Sequence, residues 1–400
     1  MKVLVINAGS SSLKYQLIDT ESNDIIAKGI CERIGIGGSK LTYKPTGKAA
    51  HEVEKDMKDH TEAIQMVLDA LVDKEIGVVD SMAEIDAVGH RILHGGMKFT
   101  SSCLIDDACM SAIEECIPLG PLHNPANLMG IRACQTIMPG TPMVAVFDTA
   151  FHQTMPPEAY MYALPPEAFE KHMVRRYGFH GTSHFYVSQR AIAKLDMPAA
   201  ETRVITCHLG NGSSISAVKG GKCIDTSMGL TPLEGVPMGT RCGDMDPAIV
   251  PFLMEKLGLD GPSMCTYMNK KSGVLGMSGV SSDFRDLAAA AAQGNERAEL
   301  AIKTFSYKVK KYIGSYAAAL GGVDAIVFTA GVGENDRDVR ARILTGLEYL
   351  GVDVDFDYNE TCPRGEEVEI SKPESKVKVF VIPTDEEMVI AKDTARLAAK

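Results

Sequence analysis

The chain has 400 residues, 45% of them apolar, and 41 Lys plus Arg stand against 52 Asp plus Glu for a formal net charge of −11. That apolar content excludes a disordered chain, and the acidic balance gives no support to a general nucleic-acid binder, which needs a basic surface. At roughly 100–200 residues per domain the length predicts two or three domains, and anionic substrates stay open because basic residues inside a cleft overrule the global charge.

Val3-Leu4-Val5-Ile6 is an apolar run of strand length that starts the fold, with no secretory signal read at this end. No apolar run reaches the roughly 18 residues of a membrane span. Residues 7–12 break the strand as a polar turn, and 13–18 alternate as a returning strand. Ile64, Val67, Leu68, Leu71 and Val72 recur at helical spacing and predict a helix over 61–73. Residues 143–147 read as a buried strand ending on Asp148. A second hairpin follows, with strands at 204–208 and 215–218 around the turn 209–214. Gly9 and Gly210 lie about half a chain apart, so the two hairpins are either an internal duplication or ordinary hairpins with convergent turns. Residues 295–320 predict a long helix with Leu300, Phe305, Val309, Ile313 and Leu320 inward and Gly321-Gly322 as its stop. A strand at 325–329 runs into a third small-residue loop at 330–335, and 379–382 is the last strand. Thr384 and Glu387 stand at capping-box spacing before a terminal helix. Strands alternating with helices predict an α/β architecture. No low-complexity linker separates the halves, and a boundary is placed near residue 150.

The 10 cysteines (31, 103, 109, 116, 134, 207, 223, 242, 265 and 362) form no Cys-x-x-Cys and no zinc-type spacing with histidine. They predict reduced, buried or inert thiols in a cytosolic protein. The loops at 7–12, 208–214 and 330–335 follow strands, where α/β sheets gather ligands. Their small residues let backbone N–H groups approach phosphate oxygens. A tight turn alone accounts for any one of them, but three in one chain point to a nucleotide clamped between two halves. None matches the P-loop pattern or a dinucleotide-binding Gly-x-Gly-x-x-Gly.

Arg91 lies in GHRILHGG and Arg241 in MGTRCGD, both near glycines, where a guanidinium can grip phosphate or carboxylate bidentately. His180 sits in a glycine-rich turn and His123 beside Asn-Pro, either structural or catalytic. Asp148 ends a buried strand, where a charge needs a counter-charge or a metal unless it merely caps a turn with Thr149. Glu386 opens the last helix, as an ordinary helix-start anion or a ligand to a hard divalent ion such as Mg²⁺.

These segments are also recognisable. VLVINAGSSSLK at 3–14, GHRILHGG at 89–96, PLHNPAN at 121–127, FDTAFH at 147–152, RRYGFHGTSH at 175–184, HLGNGSS at 208–214, PLEGVPMGTRCGD at 232–244, DFRD at 283–286, GVGEN at 331–335 and PTDEE at 383–387 resemble, in order and over essentially the whole chain, the acetate kinase family. The resemblance implies the fold of the sugar-kinase, actin and heat-shock-chaperone ATPase superfamily, which is α/β. It comprises two ribonuclease-H-like domains with mixed central sheets, here 1–150 plus 385–400 and 151–384, around an inter-domain active-site cleft. It implies reversible Mg-ATP-dependent phosphorylation of acetate to acetyl phosphate by direct in-line transfer, in a cytoplasmic homodimer. Partners would be ATP, ADP, acetate and acetyl phosphate, with Mg²⁺ replaceable by Mn²⁺ and no nucleic acid or membrane.

By the same resemblance, Asn7, Ser10, Ser12 and Lys14 form the first phosphate loop. His208, Leu209, Gly210, Asn211 and Gly212 form the second. Asp283, Phe284, Arg285, Gly331, Val332, Gly333, Glu334 and Asn335 bind the nucleotide, the last five against adenosine. Arg91 and Arg241 hold acetate and the phosphoryl group, His180 stabilises the transition state, and Asp148 is the active-site carboxylate. Asn7 and Glu386 place Mg²⁺. Leu93, Leu122, Phe179 and Pro232, with Arg91 and His123, form the acetate pocket. The family commonly carries valine where this chain has Leu93, so a tighter pocket favouring acetate is expected. PTDEE departs from the commoner PTNEE and keeps the glutamate. A propionate- or butyrate-type kinase is the runner-up, since one methylene is worth only roughly 1–3 kcal/mol. A pyrophosphate-dependent variant is disfavoured by GVGEN. A non-catalytic nucleotide-binding module would lack Arg91, Arg241 or His180, and a metal hydrolase would need a His/Asp cluster.

Overall fold

The computed structural model describes residues 1–121 and 123–399. Leu122, expected in the acetate pocket, lies outside the described residues. The chain forms two compact units, Met1–Ala150 with Asp385–Lys400, and Phe151–Thr384.

The first unit holds strands β1 (Lys2–Ala8), β2 (Ser12–Asp19), β3 (Asp24–Glu32), β4 (Lys40–Pro45), β5 (His51–Glu54), β6 (Ala87–Ile92), β7 (Cys103–Leu104) and β8 (Met143–Phe147). They order as β5-β4-β3-β2-β1-β6-β8-β7. The predicted hairpin is β1 against β2, and Asn7 faces Lys14 across it. β1, β6 and β8 run parallel, so the ends of β1 and β6 and the residue after β8 bring Asn7, Arg91 and Asp148 to one edge. The second unit holds β9 (Arg203–Leu209), β10 (Ser213–Lys219), β11 (Lys222–Thr226), β12 (Ala325–Thr329), β13 (Val368–Glu369) and β14 (Lys378–Val381), ordered β11-β10-β9-β12-β14-β13. Strand for strand, β11-β10-β9-β12-β14-β13 repeats β3-β2-β1-β6-β8-β7. Both sheets pair the first three strands antiparallel, the next two steps parallel and the last antiparallel. That match decides for duplication over convergent turns.

Each sheet carries apolar residues on both faces, as parallel strands covered by helices must. The helix His60–Leu71 buries Ile64, Val67, Leu68 and Leu71 on the first sheet, and Asp59 caps it. The helix Glu296–Leu320 covers the second sheet through Phe305, Val309, Ile313 and Leu320 and stops on Gly321.

Three expectations need correction. Leu300 is 56% exposed. It lies five residues before Phe305, about 140° around the helix from the buried stripe. The terminal helix Glu386–Ala398 is capped by Asp385, which accepts from Met388 N–H at 3.0 Å, and not by Thr384. Thr384 is already engaged by the second unit, donating its N–H to Glu334 at 3.2 Å and its hydroxyl to Ser183 at 2.8 Å. Residues 330–335 are a short helix, Ala330–Asn335, and not a loop.

Candidate active site

In the first unit the site is built around one ion pair. Arg91 Nε donates to Asp148 Oδ1 at 3.0 Å, and Arg91 Nη2 donates to Asp148 Oδ2. Asp148 is fully buried, while the Arg91 side chain keeps 25% of its exposure. Asn7 Oδ1 accepts from Arg91 Nη1 at 3.4 Å, the third anchor of the guanidinium. Burial alone would lower the Arg91 pKa, but Asp148 and then Glu386 hold it above its ordinary value. Thus Asp148 pairs with an arginine, and its carboxylate does not cap a turn.

Glu386 stands at the start of the terminal helix. Desolvation pushes its carboxyl up to about 7, with Arg91 pulling the other way and Asp148 and Glu387 adding to the rise. Carboxylates crowded beyond their cations favour an added hard cation, and Asn7 and Glu386 offer only oxygen donors, which suits Mg²⁺ or Mn²⁺. Among the described residues no group of three His, Cys, Asp or Glu is arranged for a metal ion. A divalent ion held here would complete its shell with water and phosphate oxygens.

The backbone around Arg91 depends on two asparagines of the PLHNPAN segment that were given no role from the sequence. Asn127 accepts from Leu93 N–H at 3.0 Å and donates to Ala8 C=O at 2.9 Å, joining the ends of β6 and β1. Asn124 accepts from His94 N–H at 3.2 Å and returns a bond to His94 C=O at 3.0 Å. Their place in the PLHNPAN motif was the available signal. Leu93 is buried, and His123 is half-buried just before the helix Asn124–Ile137. Ser10 and Lys14 are exposed and Ser12 half-buried on the first turn, which closes through Gly9 N–H to Ser12 C=O at 2.8 Å.

The second unit brings its predicted residues together through histidines. His180 precedes the helix Gly181–Ile192 at φ 57°. That left-handed conformation costs a residue with a side chain on the order of 1–3 kcal/mol and persists where surroundings enforce it. Its Nδ1 bonds Ser214 Oγ at 2.8 Å, Ser214 Oγ bonds His184 Nε2 at 2.7 Å, and His184 Nδ1 bonds Thr206 Oγ1 at 2.7 Å. Burial drives the His184 pKa well down and keeps it neutral. The His180 ring stacks on His208 at 4.1 Å between centroids. Thr384 donates to Ser183, and the Ser183 hydroxyl shares a hydrogen bond with His208 Nδ1 at 2.8 Å. A Cβ on Gly212 would lie 3.4 Å from the His180 ring and 3.7 Å from Arg241 Nη1. Both cationic candidates therefore border this glycine of the second turn. Arg241 Nη1 donates to Pro232 C=O at 3.0 Å. Among the described residues no carboxylate pairs with Arg241, and burial lowers its pKa. Phe179 is fully buried, and its carbonyl bonds His152 at 2.9 Å.

A cavity of about 840 Å³ opens between Gly210, Asn211, Asp283, Phe284, Arg285, Gly331, Val332 and Asn335. Of the expected nucleotide segment, Gly333 and Glu334 do not line it. Glu334 turns inward and accepts from Ala330 N–H at 2.8 Å. Arg337 and Arg364 line it as well. Neither lies in a glycine-rich motif, so no sequence signal marked them. Arg285 forks onto Asp283, holding that carboxyl down to about 2.

Two sheets of one topology, each opening with a small-residue hairpin turn, define a duplicated α/β protein of the actin-like ATPase fold. A model of the acetokinase family matches residues 2–392. Acetate kinase from Methanosarcina thermophila is 61% identical over 99% of this chain and 97% of its own length. The structure of Porphyromonas gingivalis acetate kinase superposes with a TM-score of 0.96 at 52% identity, covering 99% of each chain. A propionate kinase from Francisella tularensis does so with 0.91 at 42% identity, again over 99% of each. The chain belongs to the acetokinase family.

Proposed function

We propose that this protein transfers the γ-phosphoryl group of ATP to acetate, reversibly, giving ADP and acetyl phosphate. The observation that carries this reading is Arg241, a half-buried guanidinium without a carboxylate partner among the described residues. It shares Gly212 with His180 on the second small-residue turn. Such a charge suits an anionic ligand.

Acetate is already a nucleophile, so no strong base is needed. Its carboxylate oxygen forms the new bond to phosphorus in line with the bond that breaks to the ADP oxygen. The obstacle is anion–anion repulsion, and the protein's part is positioning and charge stabilisation. Arg91, held by Asp148 and Asn7, presents a preset cation, so Asp148 acts as a positioning residue. Arg241 and His180 stabilise the equatorial oxygens. His208 and Gly210 to Gly212 cradle phosphate from the second turn, as Asn7, Ser10, Ser12 and Lys14 do from the first. The cavity at Asp283, Phe284 and Gly331 takes the nucleoside. Mg²⁺ or Mn²⁺, when bound through Asn7 and Glu386, supplies charge neutralisation on the phosphates. Leu93, Leu122, Phe179 and Pro232 are assigned to the acetate methyl, beside His123.

The two units are read as the two ribonuclease-H-like domains. Two broader assignments accompany this. A cytoplasmic setting is supported by the thiols, all free. No helix among the described residues is long and apolar enough to cross a membrane. A homodimer is supported by the helix Ile249–Leu257, which buries no residue and leaves Phe252 58% and Leu257 50% exposed.

Hydroxamate-trapped acyl phosphate, formed with Mg-ATP and acetate, propionate or butyrate as full saturation curves, tests the assignment. The highest kcat/KM is expected with acetate. The likeness to a propionate kinase makes propionate the second reading. Preference for it would keep the chemistry and refute the Leu93 argument. No product from any acid would remove the activity.

A further inference from the structure

The 10 thiols differ in setting. Cys207 and Cys223 are fully buried, and desolvation pushes both thiols up, out of reach of thiolate chemistry. Cys265 is exposed but solitary. Cys103 and Cys109 are the exception, because Cys103 Sγ lies 3.5 Å from Cys109 Sγ.

Their positions explain the proximity. Cys103 is half-buried on β7, a two-residue edge strand that pairs with β8 through Cys103–Ala145 and Leu104–Val144. Cys109 sits in the first turn of the helix Asp107–Glu115, 4% exposed, packed in a cluster with Ile92, Ile113 and Phe147. Asp106 caps that helix by accepting from Cys109 N–H at 2.7 Å. The cap folds the chain back so that two residues six apart in sequence touch through sulfur. Cys103 is the partly exposed residue of the pair and Cys109 the buried one. A short edge strand can also yield the roughly 1.5 Å by which the sulfurs must close to bond, where a central strand could not.

We propose that Cys103 and Cys109 form a reversible redox modification site, oxidised to an intramolecular disulfide by a peroxide. The Cys103 thiolate attacks one oxygen of hydrogen peroxide, the O–O bond breaks, and the departing hydroxide takes a proton from solvent, giving Cys103 sulfenic acid and one water. Cys109, losing its proton, then attacks the Cys103 sulfur and expels the sulfenic oxygen as a second water. Each sulfur gives up one electron, and the two peroxide oxygens take them. The hydrogen bond shared by the two sulfurs lowers the Cys103 pKa, in keeping with its role as the attacking thiol.

The test uses the full-length reduced protein. It is exposed to hydrogen peroxide in modest excess, blocked with N-ethylmaleimide, reduced with dithiothreitol and blocked with a second maleimide of different mass. Tandem mass spectrometry then reads each cysteine. Cys103 and Cys109 should both carry the second label, to equal extents. In Cys109→Ser the intermediate should persist, so that dimedone adds to Cys103. If Cys103 and Cys109 keep the first label while Cys265 is oxidised, the site is refuted. It is refuted equally if Cys103 takes the second label without Cys109, or if dimedone fails to add in Cys109→Ser.

Discussion

Arg91 in the first unit and Arg241 in the second carry the same charge in opposite settings. Arg91 is forked onto the fully buried Asp148 and braced by Asn7. Among the described residues Arg241 has only a carbonyl and a thioether as hydrogen-bond partners, at 3.0 and 3.7 Å, and burial lowers its pKa. A paired arginine is fixed in direction, with its desolvation offset inside the fold. An unpaired one is destabilising in the free protein and gains most when an anion arrives. The two units thus hold one cation paired inside the fold and one without a carboxylate among the described residues, the contrast on which the proposed roles rest.

The largest expected effect is at the unpaired arginine. Arg241→Ala should lower turnover on the order of 10³ or more, about 4 kcal/mol, by analogy with arginine fingers. It should leave folding stability within about 1 kcal/mol, because it removes a desolvated charge. Steady-state kinetics and urea unfolding on one preparation check both halves. Near-normal turnover would erase the contrast. Asp148→Ala should do the reverse on the stability axis. It strands Arg91 without its counter-charge, and a loss of about 3 kcal/mol is expected, the low end for a broken buried pair because Arg91 is partly exposed. Equal stability losses in the two variants would mean that the settings do not differ.

Acid should expose both units. Burial holds His90 down to about 3 and His94 and His152 to about 4, with His184 well down too. These rings stay neutral in the fold but take up protons in the unfolded chain below about pH 6.5. Their stabilisation is complete above that pH and is lost as pH falls from about 6.5 toward 4, each at about 1.4 kcal/mol per pH unit. Glu386, raised to about 7, acts oppositely and offsets part of it. Urea midpoints should therefore fall between pH 7 and pH 5, and a flat profile would show the rings to be solvated. The smallest effect is at Leu93. Leu93→Ala should raise propionate kcat/KM relative to acetate about tenfold, roughly 1.4 kcal/mol for the space released. An unchanged ratio would take Leu93 out of the pocket.

Much of the fold was legible because it is written in local periodicity. β1 and β2, β9 and β10, and the helix His60–Leu71 follow from apolar runs and turn residues. The repeated hairpins were visible too, but the strand order that decides for duplication depends on crossovers tens of residues long. The site motifs were legible as types of residue, arginine among glycines and histidine in a tight turn. Their partners were not. Nothing near Arg91 announces Asp148, 57 residues away, and nothing around Glu334 announces that its carboxylate bonds Ala330 and Thr384. Leu300 fails in the same way, since hydrophobicity alone does not say which side of a long helix is covered.

From its amino acids alone this chain determined that it is α/β, that its small-residue turns follow strands, and that cations, carboxylates and histidines stand beside them, because backbone preference and burial act over a few residues. Only the tertiary structure decided which arginine is neutralised, which histidine rests on which hydroxyl, which nucleotide-segment residues face the cavity and which two thiols touch. Those are pairings between segments far apart in the chain, and their energies depend on distance and desolvation, which exist only once the sheets have assembled.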